Sequence, residues 1–187
     1  MGIVPKKVFF TKGVGYHSKE LQSFEYALRD AGISQFNLSS ISSILPPNCA
    51  EISREEGLKW LKPGQIVFLV LARVCSDEKN RLVSASIGVA KPKDSSRYGY
   101  LSEHHGYGED QRTAGDFSED LAASMLASTL GIPFDIDAAY DEKREIFTMS
   151  DLIVETKNVT SCATVRKQGE FTTAVAAAVF ITDDVMQ

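Results

Sequence analysis

Two consecutive prolines, Pro46 and Pro47, close a stretch that constrains this chain more than any other: Asn37-Leu38-Ser39-Ser40-Ile41-Ser42-Ser43-Ile44-Leu45-Pro46-Pro47. A strand-like apolar run from Gln35 to Ile41 stops at the pair Ser42-Ser43. Neither proline has an amide hydrogen for a sheet ladder, and the ring fixes φ. The residue before a proline is pushed towards extended geometry. The Ser42–Ser43 peptide therefore lies where a strand breaks into a rigid, irregular exit, a place where backbone strain can be held. A serine hydroxyl aimed at its own preceding carbonyl can shift the chain from amide to ester. The same residues also read as an ordinary strand end or turn, where serine pairs are common.

Around this break the chain reads as short strands with two substantial helices. Val8 to Thr11 reads as a strand, and Lys12-Gly13-Val14-Gly15 as the turn after it. Glu20 to Asp30 reads as a helix ended by Ala31-Gly32, with Leu21, Phe24 and Leu28 as its apolar stripe. Glu25 falls along that stripe, either as a stripe-edge carboxylate reaching water or as a buried anion awaiting a cationic partner. Glu55 to Leu61 suggests a short helix. Gln65 to Val74 and Leu82 to Ala90 read as an antiparallel hairpin across a charged turn.

Tyr98 to His105 reads as a strand with Leu101, Glu103 and His105 on one face and Tyr100, Ser102 and His104 on the other. A long helix is expected from about Gln111 to Leu130, buried through Phe117, Leu121 and Met125 and ended by Gly131 and Pro133. Strand candidates lie in Ile146 to Val159 and from Phe171 to Ile181. In the second, Ala174, Ala176 and Ala178 would admit a closely packed layer. Strand-helix alternation is too irregular for a doubly wound nucleotide fold. The pattern points to an α+β fold of antiparallel or mixed sheets covered by helices, in one domain spanning residues 1–187.

Composition narrows the function. A formal net charge of −5 without a basic block argues against nucleic-acid binding. No apolar run is long enough to cross a bilayer. Met1 to Lys7 lacks the apolar core of a secretory signal, so a cytoplasmic location is expected. Cys49, Cys75 and Cys162 are far apart and show no metal spacing, which fits a reducing compartment and no metal site.

In sequence order, several segments together resemble the pyruvoyl-dependent arginine decarboxylases. They are the glycine-containing stretch after the first strand, Phe24-Glu25-Tyr26-Ala27-Leu28, and Ala31-Gly32-Ile33. Then come Asn37-Leu38 and Ile41-Ser42-Ser43-Ile44-Leu45-Pro46-Pro47. Ser86-Ile87-Gly88-Val89-Ala90-Lys91-Pro92-Lys93-Asp94, Glu103 near Gly106, and the alanine-rich final strand complete the set.

The resemblance implies a four-layer αββα sandwich that cleaves itself between Ser42 and Ser43. Residues 1–42 become a short fragment, and Ser43 becomes a pyruvoyl group heading residues 43–187. It also implies trimers, or a multiple, with sites between subunits. Asn37 would polarise the scissile carbonyl or hold the mature site; the plain alternative is a strand-entry asparagine bonded to local backbone. Glu103 would act as proton donor, a solvated strand-edge glutamate being the alternative. Glu25, where the family pattern can carry aspartate, would hold the cationic end of the substrate.

The implied reaction is decarboxylation of L-arginine to agmatine through a Schiff base with the pyruvoyl carbonyl. Another amino acid as substrate, or a non-catalytic oligomeric sandwich with an uncut serine pair, are the alternatives. His104 and His105, beside Glu103, would tune its proton or mark a strand end.

Overall fold

The computed structural model describes residues 2–133 and 153–182. Among these the chain forms an α+β fold of two mostly antiparallel sheets and three helices. One sheet has five strands in the order β2-β5-β9-β1-β4: β2 (Asn37–Ser40), β5 (Ile66–Ser76), β9 (Phe171–Ile181), β1 (Lys7–His17) and β4 (Ala50–Glu51). The other has four in the order β3-β7-β6-β8: β3 (Ile44–Leu45), β7 (Gly99–Tyr107), β6 (Leu82–Pro92) and β8 (Ile153–Thr164). Of the strand expected within Ile146 to Val159, the part before 153 lies outside the described residues.

The sheets meet face to face over one apolar core. Val8, Val70, Ala72, Ile87, Val89, Leu101 and Phe180 fill it, and so do Ala174, Ala176 and Ala178, whose small side chains admit the facing sheet as expected. The opposite face of β9, with Val175, Ala177 and Val179, packs with Ala27 and Ala31 of α1 (Glu20–Ala31). Helix α3 (Gln111–Leu130) covers the four-stranded sheet, and α2 (Arg54–Lys59) is a short helix beside β1.

Four expectations need correction. Lys12-Gly13-Val14-Gly15 is not a turn; β1 runs unbroken to His17 and pairs with β9 throughout. Its alternation puts Phe9, Thr11, Gly13 and Gly15 towards α1. A Cβ at either glycine would overlap the helix backbone, at Ala27 and Ala31 for Gly13 and at Ser23 and Ala27 for Gly15. These glycines are there because a helix lies almost on the strand. Gly15→Ala should accordingly cost about 1–3 kcal/mol as an overpacked contact. An unchanged denaturant midpoint would contradict that close approach.

The second correction concerns α1. Its buried positions are Ser23, Ala27 and Ala31, whereas Leu21 is 76% exposed. Small residues let the helix sit down on the glycine face, and the larger side chains are displaced to its flanks. The third is similar: α3 buries Ala114, Ser118, Ala122, Ala123, Leu126 and Ala127, while Phe117 is 45% exposed. Ser102 donates its hydroxyl hydrogen to the Ser118 carbonyl, drawing α3 onto β7. In the fourth, β5 and β6 do not form a hairpin; they belong to opposite sheets. The turn between them bonds outwards instead, Asn80 N–H donating to Val165 O (3.0 Å) and Gly169 N–H to Asp77 O (3.1 Å). The helix ends fall where expected, with Gly32 and Gly131 in the left-handed region at φ 78° and 72°.

Candidate active site

Strand β2 lies at one edge of the five-stranded sheet, parallel to β5, and its pairing ends with Ile41 N–H donating to Leu69 O (2.9 Å). Strand β3 begins at Ile44 at the edge of the other sheet, opposite Tyr100 of β7. Ser42 and Ser43 are therefore the bridge between the sheets. Ile44 N–H donates to Ser42 O (2.9 Å), closing a three-residue turn centred on Ser43. The Ser43 carbonyl in turn accepts from Leu101 N–H of β7 (2.8 Å). Ser42 is exposed and Ser43 half-buried. One backbone donor thus polarises the Ser42 carbonyl, and another fixes the carbonyl of Ser43, the next residue.

Beyond β3 the chain passes the two prolines and returns to the far edge of the five-stranded sheet. Asn48 N–H donates to Ser95 O (2.8 Å), and Ala50 N–H to Lys6 O (2.8 Å) where β4 joins β1. Glu51 then meets Lys91 (3.0 Å) and Lys157, and Lys91 also meets Glu155 (3.0 Å). Burial works against the charge on Glu51, but the hydrogen bonds and charges of both lysines outweigh it and hold its carboxyl below the usual range. Burial also pushes the Cys49 thiol up to about 11 despite the nearby Lys91 charge.

Glu103 lies on β7 two residues from Leu101, about 7 Å along the strand from the amide that holds Ser43. It is exposed in the single chain. Leu101 on the same face packs into the core between the sheets, whereas Ser102 and His104 face α3, as the alternation predicted. His104 Nε2 lies 2.6 Å from Glu109 Oε2, with its ring against Phe117 at 4.6 Å between centroids. His105, on the Glu103 face, places Nδ1 2.8 Å from the Arg73 carbonyl oxygen and 3.3 Å from its amide nitrogen.

The other two candidate residues sit elsewhere in the protomer. Asn37 opens β2, and its side-chain amide donates to Gly64 O (2.6 Å). Ser42 is five residues further on, about 16 Å along an extended strand. Glu25 lies on α1 and accepts from Arg29 Nε (2.5 Å), an exposed i,i+4 pair of the kind that contributes little to stability. Ser43 is therefore tied to β7 at Leu101, two residues from Glu103, while Asn37 and Glu25 are engaged by their own surroundings. The Leu101 amide escaped the sequence reading, because it is backbone and has no signature in residue type. His105 was singled out beside Glu103, but its partner Arg73 on β5 could not be foreseen.

Among the described residues no group of three or more His, Cys, Asp and Glu side chains is placed to hold a metal ion. No helix among them is long and apolar enough to cross a membrane.

The family model for pyruvoyl-dependent arginine decarboxylase matches residues 7–185. The chain is 57% identical over 181 residues to a probable pyruvoyl-dependent arginine decarboxylase of Chloroherpeton thalassium, covering 97% of this chain and 100% of the relative. It is 54% identical to a pyruvoyl-dependent arginine decarboxylase of Thermoplasma volcanium, covering 97% and 99% of the two chains. With the corresponding protein of Methanococcoides burtonii the identity is 52%, covering 96% and 99%. Matches of this extent and identity, around a serine pair bridging two sheets, establish that the chain belongs to the pyruvoyl-dependent arginine decarboxylase family.

Proposed function

We propose that this protein converts L-arginine to agmatine and carbon dioxide, using a pyruvoyl group that it makes from Ser43. The observation that carries the reading is the tight turn at Ser42–Ser43, with Ile44 N–H on the Ser42 carbonyl and Leu101 N–H on that of Ser43. Attack of the Ser43 hydroxyl on the Ser42 carbonyl carbon turns the amide into an ester. Elimination then expels the Ser42 carboxylate, and hydrolysis of the dehydroalanine releases ammonia and leaves the pyruvoyl carbonyl. The residues fit this group: the precursor hydroxyl is present, and the neighbouring carbonyl is hydrogen-bonded.

The pyruvoyl group supplies an electrophilic carbonyl that takes up the electron pair left by departing carbon dioxide. Glu103 delivers the proton to the former α-carbon. Its place two residues along β7 from the amide that holds Ser43 supports this role, and enclosure by a second copy of the chain would shield it from water. Asn37 completes the site from the mouth of β2. Glu25 exchanges its exposed partner Arg29 for the guanidinium of the substrate.

In this reading the chain is one domain, a four-layer αββα sandwich that assembles as a trimer or a multiple of it in the cytoplasm. Packing of α1 and α3 on opposite sheets supports the layering.

Release of labelled carbon dioxide from carboxyl-labelled arginine, histidine, aspartate and adenosylmethionine tests the substrate. Arginine should be turned over far faster than the others; preference for another would overturn the assignment. Glu25→Gln should raise KM for arginine about tenfold with little change in kcat, the loss of one charge-assisted contact. An unchanged KM would remove Glu25 from substrate binding.

A further inference from the structure

Strand β5 is paired unequally on its two sides. From Leu69 to Ser76 it runs beside β9, but on its other side β2 reaches only from Ile66 to Leu69 before the chain departs through Ser42. Gln65 O and Leu69 O accept from β2, so by the two-residue period the backbone groups of Arg73 and Cys75 point to the same, now strandless, edge. Such an edge presents unpaired donors and acceptors. Here side chains of β7 cover it. His105 Nδ1 meets the Arg73 backbone at 2.8 Å (O) and 3.3 Å (N), and the Tyr107 hydroxyl donates to Cys75 O at 3.2 Å.

Those side chains share a face of β7 with Glu103. Two residues before Glu103, the Leu101 amide holds the Ser43 carbonyl; two residues after it, His105 holds Arg73. The Arg73 end is itself braced, its guanidinium bonding Glu20 (3.0 Å) and resting 4.0 Å from the Phe24 ring centroid. Glu103 therefore stands on a span of strand that is paired with β6 on one side, opposite Ile87, and tied to Ser43 and to Arg73 at its two ends. Its neighbour His104 faces α3 instead and takes no part.

We infer that His105 is a positioning residue, which sets the carboxyl of Glu103 relative to Ser43 by tying β7 to the open edge of β5. The inference rests on the proposed function, with Glu103 as proton donor. A displacement of about 1 Å in a catalytic group can cost on the order of a hundredfold in rate, so a tie of this kind has leverage. One ring nitrogen cannot donate to the Arg73 carbonyl and accept from its amide at the same moment. An asparagine side chain can do both, which makes His105→Asn the conservative replacement.

The test compares wild type, His105→Ala, His105→Phe and His105→Asn as assembled protein. It follows fragment masses, kcat and KM for arginine, and amide hydrogen exchange over residues 71–76. His105→Phe keeps the ring volume should the alanine variant fail to fold. The alanine or phenylalanine variant should cleave fully and keep KM within about twofold. It should lose about ten- to a hundredfold in kcat and exchange faster over residues 71–76. The asparagine variant should recover both kcat and protection. Full kcat without His105, or recovered protection without recovered kcat, would overturn the positioning role and leave His105 as edge cover. Wild type that releases no carbon dioxide from arginine would instead sink the proposed function, and the inference with it.

Discussion

Ser43→Ala leaves the protein as one uncut chain and lowers arginine decarboxylation by about four orders of magnitude or more, to background, since the entire covalent route is removed. The substitution deletes one hydroxyl. The surrounding structure has no need of it, because the bonds that shape the turn are backbone bonds: Ile44 N–H to Ser42 O and Leu101 N–H to Ser43 O. Alanine supports both, so fold and thermal midpoint should stay near wild type. Ser42→Ala sharpens the comparison. Ser42 contributes its carbonyl, which alanine also provides, so cleavage should continue. Two fragments from Ser43→Ala meeting at the same bond would contradict the assignment of the nucleophile. Loss of cleavage in Ser42→Ala with Ser43 intact would assign the Ser42 hydroxyl a part that the backbone geometry does not give it.

Glu103→Gln separates making the prosthetic group from using it. The Ser42 carbonyl is polarised by Ile44 and the Ser43 carbonyl is held by Leu101, so maturation does not call on the Glu103 side chain. Both fragments should form at the wild-type rate. The amide keeps the shape of a protonated carboxyl but cannot give up a proton, so kcat should fall about 10²- to 10⁴-fold, the range of a lost general acid. KM should move little. Slow cleavage would mean that Glu103 acts during maturation, and normal kcat would remove it from proton transfer. Because Leu101 and Glu103 lie on one face of β7, a defect in both steps would point to displacement of the strand rather than to lost chemistry.

The parts of this fold that could be read in advance are those set by local chemistry. Glycine after the last turn ended α1 and α3 at Gly32 and Gly131. Alternation on β7 put Leu101 with Glu103 and His104 on the other side, so the two histidines face different ways. The alanine face of β9 announced a close neighbour, and the facing sheet is there. What failed was whatever depended on a distant partner. Gly13 and Gly15 look like turn residues until a helix is found lying on them. Two apolar strands joined by a short charged turn suit a hairpin and an inter-sheet connection equally, and the turn's bonds to Val165 and Asp77 decided for the second. Leu21 and Phe117 misled because the buried faces of α1 and α3 are made mostly of alanine, serine and glycine, while Phe24 and Leu28 do pack against the core from the flank.

At the site the same division holds. The break at Ser42–Ser43 and the carboxylate at Glu103 were visible as residue types. The backbone amide of Leu101 that ties Ser43 to β7, two residues from Glu103, was not. Asn37 and Glu25 have their side chains on Gly64 and Arg29 in one protomer, and their part in the site is a proposal that needs the second copy.

The claim on which the rest depends is that the bridge between the two sheets is cut by its own serine. Intact mass of the purified protein under denaturing conditions addresses it directly. The account predicts two fragments meeting between Ser42 and Ser43, the longer one headed by a pyruvoyl group and lighter than a serine-headed fragment by the difference between serine and pyruvoyl. A single mass for all 187 residues from protein that decarboxylates arginine would contradict it.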